Sequence, residues 1–226
     1  MKIIAISATP HKQIGASTAL LEQVFNGIKK TDQSAECKTI FLADKKINYC
    51  RGCAVCLMKG SCPQKDDLEE LVDEMKSSDG IIFSSPVYVM TVTAQMKTFL
   101  DRLLAYFHRP VLQDKYGLAI SVSAGWGDEE VGAYLSGLLS ALGVKSIGYV
   151  RAIAVGPGMF ADQEQAFEHA QRMGENLAKA IKEKWQIPKS SKNYCFHLFL
   201  VDMVQKYPQL FKVDYEFWKE KGKIKD

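Results

Sequence analysis

Short β-rich runs alternate with amphipathic segments of helical period along the first 185 residues of this 226-residue chain. That alternation constrains the fold more than any other feature. The runs fall at Lys2–Ser7, Glu36–Phe41, Gly80–Ser84, Gly117–Val122 and Ser146–Ala154. Helical patterns cover Ser17–Lys30, Asp67–Ser77, Val92–Tyr106, Glu129–Leu142 and Gln163–Trp185, the last four opening near acids or hydroxyl residues that suit a helix N-terminus. A run such as Gly80-Ile81-Ile82-Phe83 is continuously apolar, as a strand is when helices cover both faces of a parallel sheet. Five β/α pairs of this length predict an α/β fold, a doubly wound five-stranded parallel sheet in the order 2-1-3-4-5.

The pattern breaks after Trp185-Gln186-Ile187-Pro188. Residues 1–186 therefore read as one α/β domain, and 187–226 as a helical appendage packed on that domain or on a neighbouring subunit. The appendage carries many aromatic residues, which contribute large buried areas, and a homodimer or homotetramer is expected. With 47% hydrophobic and 24% charged residues the composition is that of an ordinary globule; disordered, collagenous and coiled-coil classes are excluded. The 29 basic and 26 acidic residues are mixed along the chain and form no footprint for nucleic acid. The longest uncharged stretch, Gly80–Met96, contains Pro86 and several hydroxyls, so no membrane span is expected. Met1-Lys2 leads straight into the first strand without a secretory pattern. The expected location is the cytoplasm.

Ligands of an open α/β sheet bind beyond the carboxyl ends of its strands, where strand order reverses. Three loops end there. The first, Ser7 to Thr18, is rich in hydroxyls, with Gly15 just before a helix. Its backbone N–H groups and the helix dipole suit a phosphate, the alternative being ordinary capping by Ser17 or Thr18. It matches neither the dinucleotide nor the nucleoside-triphosphate glycine pattern. The second, Ser84-Ser-Pro-Val-Tyr-Val-Met-Thr91, has Pro86 to end the strand, followed by apolar side chains and backbone amides that suit a flat heteroaromatic ring. The third, Ser123-Ala124-Gly125-Trp126-Gly127, places an indole between two glycines, where backbone can approach a ligand closely.

These loops resemble a known family. Ser7-x-Thr9-Pro10-His11 followed by Ser17-Thr18, then Ser85-Pro86-Val87-Tyr88 with Ala94-Gln95-Met96-Lys97-x3-Asp101-Arg102, is similar to the flavodoxin-like NAD(P)H-dependent FMN reductases. Tyr49-Cys50-x2-Cys53-x2-Cys56-x5-Cys62-x3-Asp66-Asp67 resembles their iron–sulfur flavoprotein branch. The resemblance spans residues 1–184. It implies FMN, with the phosphate near Ser7, Thr9, His11, Ser17 and Thr18 and the ring against Pro86, Val87, Tyr88, Val89, Met90, Thr91 and Ser123, Ala124, Gly125, Trp126, Gly127. His11 departs from the arginine common at that place, and the loop is slightly longer. The partners implied are NAD(P)H and a quinone, flavin, aromatic or protein acceptor. An electron carrier without NAD(P)H turnover is the alternative. No catalytic acid or base is required, because the flavin supplies the redox chemistry.

Cys50, Cys53, Cys56 and Cys62 offer four soft thiolates within thirteen residues, the donor set of a [4Fe–4S] cluster. Zinc and free thiols are the alternatives; structural zinc sites more often use two separated cysteine pairs. Cys37 and Cys195 read as buried apolar residues. His108 reads as a cation at a helix C-terminus, and Asp66 and Asp67 as caps of the second helix.

Overall fold

Every residue of β1 (Lys2–Ser7) after the first is buried, so the strand needs cover on both faces. Ile4 and Ile6 enter one core and Ile3 and Ala5 the other. The computed structural model describes residues 1–188 and 191–224, the side chains of residues 191–195 excepted. Beside β1 lie β2 (Glu36–Phe41) and β3 (Gly80–Tyr88), followed by β5 (Tyr116–Ser123) and β6 (Lys145–Gly156), all parallel. The order β2-β1-β3-β5-β6 is the flavodoxin-like order expected from five β/α pairs. Two short antiparallel additions, β4 (Thr91–Val92) on β3 and β7 (Met159–Phe160) on β6, complete a seven-stranded sheet.

Helices α3 (Leu68–Lys76), α4 (Ala94–Arg102) and α6 (Asp128–Ala141) cover one face, where Phe99 meets Phe83 edge-to-face at 5.9 Å. The opposite face is covered by α1 (Ala16–Thr31) and α7 (Gln163–Glu183). These two helices touch at backbone distance, because Gly27 and Gly174 stand at their crossing. A Cβ on Gly27 would lie 1.9 Å from the Gln171 carbonyl oxygen, and one on Gly174 2.0 Å from that of Val24. Neither glycine was singled out by periodicity, since an isolated glycine in a helix carries no mark of its neighbour.

Three expectations are corrected. The segment read as one helix over Val92–Tyr106 is β4, then α4, then a separate α5 (Leu104–His108). Pro86 does not end β3, which continues in register with β5 as far as Pro86↔Val122 and then turns into β4. Cys37 is only half-buried, and burial pushes its thiol up; the side chain of Cys195 lies outside the described residues.

In the C-terminal segment, α8 (Ser191–Lys206) and α9 (Lys212–Glu220) share a small core of Leu200, Val204, Trp218 and Ile224. It docks on the α/β body through Asp214, and through His197 Nε2, which lies 3.2 Å from the Ala141 carbonyl.

Helix propensity alone favours Gly174→Ala by about 1 kcal/mol. The contact at 2.0 Å makes it an overpacking change costing about 1–3 kcal/mol. The expected outcome in urea or thermal unfolding is therefore a net loss of stability, and a gain would mean that α1 and α7 separate freely.

Candidate functional site

The site begins where β1 and β3 part. The last rung between them is the Ala8 amide donating to the Ser84 carbonyl at 2.8 Å. In a parallel ladder the next donor would be the amide of residue 86, and proline has none. The Ala8 carbonyl is taken instead by the Thr93 hydroxyl at 3.2 Å, which also accepts from the Met96 amide and so caps α4. The Ser85 hydroxyl accepts from the Thr93 amide at 3.2 Å. The two chain segments are thus tied at the floor and free to diverge above it.

The first loop leaves β1 through Thr9, which is 2% exposed, makes a short 3-10 turn over Lys12–Ile14, and reaches Gly15, the N-cap of α1. A Cβ on Gly15 would sit 2.6 Å from Thr9 Oγ1, so the pocket between them exists only with glycine. No side chain caps α1, and its first turn carries no acid. Its orphan N–H groups and positive dipole end are left for an anion. The Thr18 hydroxyl is turned away from that role, donating 2.6 Å to the Lys12 carbonyl and closing the loop from behind. Ser7 lies beneath, in register with Ser84; both hydroxyls are buried without a partner among the described residues.

All three loops meet in one cleft of about 280 Å³. The first contributes Thr9, His11 and Ser17, the second Pro86, Val87 and Tyr88, and the third Ser123 and Ala124. Ile14, Gly15, Ala16 and Val122 complete these walls. Ala154 and Gly156, from the end of β6, and Pro157, from the turn after it, form a fourth wall absent from the sequence reading; the Gly156-Pro157-Gly158 run is a turn signal that points to it. Val89, Met90, Thr91, Gly125, Trp126 and Gly127 are not among the lining residues. Val89 and Met90 make the two-residue turn between β3 and β4 with φ of 47° and 66°. This is a strained conformation for a β-branched residue that is 96% exposed. Trp126 is 69% exposed, and Gly127, at φ 90°, lies against Val87 and Met90. Thr91 pairs with Tyr88.

The third loop owes its shape to residues the sequence did not mark. The Ser123 hydroxyl donates to Asp128 at 2.9 Å and accepts from the Gly125 amide, while Arg151 donates to the other carboxylate oxygen at 2.8 Å. Burial pushes the Asp128 carboxyl up, but these hydrogen bonds outweigh it and hold the group below its ordinary range.

The cysteine loop rests on two arginines. Arg102 Nη1 donates to the Asn48 carbonyl at 2.8 Å and to Asp66 Oδ2 at 2.6 Å, and Nη2 reaches Asp66 Oδ1 at 3.2 Å and Cys62 Sγ at 3.4 Å. Both side chains of this pair are buried, at 1% and 0% exposure. Asp66 is therefore an ion-pair partner first. Its capping of α3 is limited to a 3.3 Å bond from the Leu68 amide, while Asp67 accepts from the Lys46 amide and makes no side-chain cap. Arg109 Nη2 donates to the carbonyls of Cys56 and Gly60, both at 3.0 Å, around the short helix α2 (Val55–Lys59). His108 is likewise no simple helix-end cation; it is buried with Nδ1 2.8 Å from Asp214. Cys50 and Cys53 are exposed and Cys56 and Cys62 half-buried, all four as free thiols. Among the described residues no group of three or more Cys, His, Asp or Glu side chains is gathered at metal-binding distance. Burial, then the charge of neighbouring Cys62, pushes the Cys56 thiol up against the pull of Arg109.

Comparison with known proteins bears on the family and the fold. The sequence profile of the NADPH-dependent FMN reductases matches residues 1–158. An iron–sulfur flavoprotein from Archaeoglobus fulgidus is 41% identical over 226 residues, covering 99% of this chain and all of the relative. Another, from Clostridioides difficile, is 27% identical over 99% of this chain and its own full length. Among solved structures, a flavone reductase superposes with a TM-score of 0.64 at 21% identity, over 84% of this chain and 66% of its own. The NAD(P)H:quinone oxidoreductase of Methanothermobacter marburgensis gives 0.63 at 18%, over 78% and 96%. These two likenesses concern the fold.

Burial opposes ionisation of Asp66, yet its hydrogen bonds from Arg102 and the Asn48 and Leu68 amides bring the carboxyl down from 3.8 to about 2. A lowered folded value gives stability that is complete above the unfolded value and is lost as pH falls through the folded one. Wild-type protein is expected to lose this contribution between about pH 4 and pH 2. Asp66→Asn leaves Arg102 buried and unpaired, which costs about 3 kcal/mol at neutral pH and flattens that acid limb. Chemical denaturation across pH 2–7 checks both effects.

Proposed function

The chain belongs to the NADPH-dependent FMN reductase family, in its iron–sulfur flavoprotein branch; from that premise we propose that it takes reducing equivalents from NAD(P)H and delivers them to a quinone, flavin, aromatic or protein acceptor. It is a flavoprotein oxidoreductase of flavodoxin-like fold. The observation that carries the finer reading is the cleft itself, with a glycine cradle and an uncapped helix N-terminus at one end and Pro86–Tyr88 with Ser123–Ala124 at the other. That polarity fits a phosphate joined to a planar ring.

FMN, when bound, supplies hydride acceptance and electron transfer. The chain's own residues bind and orient. On this reading Thr9, His11 and Ser17, with the first-turn amides of α1, hold the phosphate, Thr18 closes that loop from behind, and Ser7 lies buried beneath it. Val87 and Tyr88 offer apolar contact to a ring. The backbone of Val89–Thr91 and Gly125–Gly127 lies next along the same two loops, and Trp126 stands exposed to stack on an incoming nicotinamide or acceptor.

Cys50, Cys53, Cys56 and Cys62 suit a [4Fe–4S] cluster as a donor set. They are four free soft thiols on one loop, and a buried guanidinium is aimed at Cys62 Sγ. A cluster there supplies one-electron transfer to an outside carrier. The proposed assembly is a homodimer or homotetramer, supported by exposed apolar side chains such as Val89, Trp126, Leu198 and Phe199. The proposed location is the cytoplasm; among the described residues no helix is long and apolar enough to cross a membrane.

Apoprotein is expected to bind FMN at least about tenfold more tightly than riboflavin, each tenfold being 1.4 kcal/mol. Gly15→Val, by filling the cradle against Thr9, is expected to erase that preference in a fluorescence titration. Anaerobic NADH or NADPH is expected to bleach the bound flavin. Equal affinity for FMN and riboflavin in wild type would remove the phosphate assignment, and flavin left oxidised by both nucleotides would leave the electron-carrier reading in place of the reductase.

A further inference from the structure

Asp214 belongs to α9, in the C-terminal segment and well beyond residues 1–158 that match the family profile. Its side chain is completely buried against the body. One carboxylate oxygen pairs with Arg109 Nη1, and the other lies 2.8 Å from His108 Nδ1, whose ring stacks on Phe211 at 6.2 Å. The remaining fork of Arg109 holds the Cys56 and Gly60 carbonyls at 3.0 Å. Beside it, a Cβ on Gly60 would sit 3.4 Å from Val213. A continuous chain of contacts therefore runs from α9 to the backbone of the half-buried Cys56, while Cys50 and Cys53 stand exposed.

Stability alone does not account for this arrangement. A buried ion pair often contributes no more than apolar residues of the same volume. Its distinctive property is direction. A planar guanidinium pinned by a carboxylate on one side fixes two carbonyl acceptors on the other, which a lysine or an apolar side chain does not do. Arg102, pinned by Asp66, plays the matching part at Cys62 Sγ.

We propose that the C-terminal segment is a positioning part of the cysteine site: Asp214 orients Arg109, and Arg109 holds α2 so that Cys56 keeps the placement needed to ligate a cluster together with Cys62. This rests on the cluster reading above. Asp214 and Arg109 act through backbone, and touch no iron or reacting atom. Outer groups that orient metal ligands typically change metal affinity by about 10–100-fold when removed.

The test uses the full-length flavin-loaded protein with Asp214→Asn, Asp214→Glu and Arg109→Lys, and Asp202→Asn as a control on the exposed side of α8. Hydrogen–deuterium exchange of the 54–62 backbone is measured on iron-free protein. Iron release to a chelator, and low-temperature EPR of the reduced cluster, are measured after loading with ferrous iron and sulfide. In D214N and R109K, exchange over 54–62 is expected to rise and iron release to quicken at least about tenfold, with an altered EPR line shape. Flavin content and exchange in β1 and α1 are expected to stay unchanged. D214E is expected to recover part of the wild-type behaviour, and D202N all of it. Unchanged exchange and iron retention in D214N overturn the proposal. Loss of flavin and protection throughout the body in both variants overturns it too, by making Asp214 a residue on which the whole fold depends. Wild-type protein that takes up no iron overturns the cluster reading and this inference with it, a failure recognised before any variant is compared.

Discussion

Pro86 has no amide hydrogen to give Ala8, and the candidate site depends on that missing rung. With the ladder between β1 and β3 ended at Ser84, the segments after each strand diverge, and the space between them becomes the cleft. A carbonyl left alone at the bottom of such a crevice would cost the desolvation of a buried acceptor. Thr93 removes that cost by donating to Ala8, and the same oxygen caps α4. One hydroxyl thus ties the floor of the cleft to the helix that carries Arg102.

The walls stand on close approach. Gly27 and Gly174 let α1 and α7 meet at backbone distance, side by side on one face of the sheet. Gly15 does the same on a smaller scale against Thr9. Positions that lack a side chain thereby set where an anion can sit, and the helix contributes its unpaired amides without a competing acid.

Across α4 and α5, the cysteine loop is governed by charge rather than by apolar packing. Two buried arginines, each with its own buried carboxylate, take hold of carbonyls and one sulfur along residues 48–62. A loop with little regular structure has few ways to hold a fixed shape, and oriented donors at its base are one of them. The candidate cleft and the cysteine loop are connected through α4, capped by Thr93 at one end and bearing Arg102 at the other.

Much of this was legible in the chain itself. Strand and helix positions, the five-strand order, the three loops and the cysteine spacing follow from hydrophobic period, turn residues and ligand chemistry, all of which act between residues a few positions apart. The hairpin at Val89–Met90 escaped that reading because neither residue favours positive φ. Locally, His108 and Asp66 resemble helix-end residues. Their actual partners are chosen by burial. Arg102 meets Asp66 across 36 residues, and Arg109 meets Asp214 across 105. Ion pairs between distant segments leave no periodic trace, and only folding brings the two charges out of water together. The sequence alone therefore determined the architecture and the donor set. Only the tertiary structure decided which side chains hold that set in place, since desolvation selects partners by proximity in space and not by order along the chain.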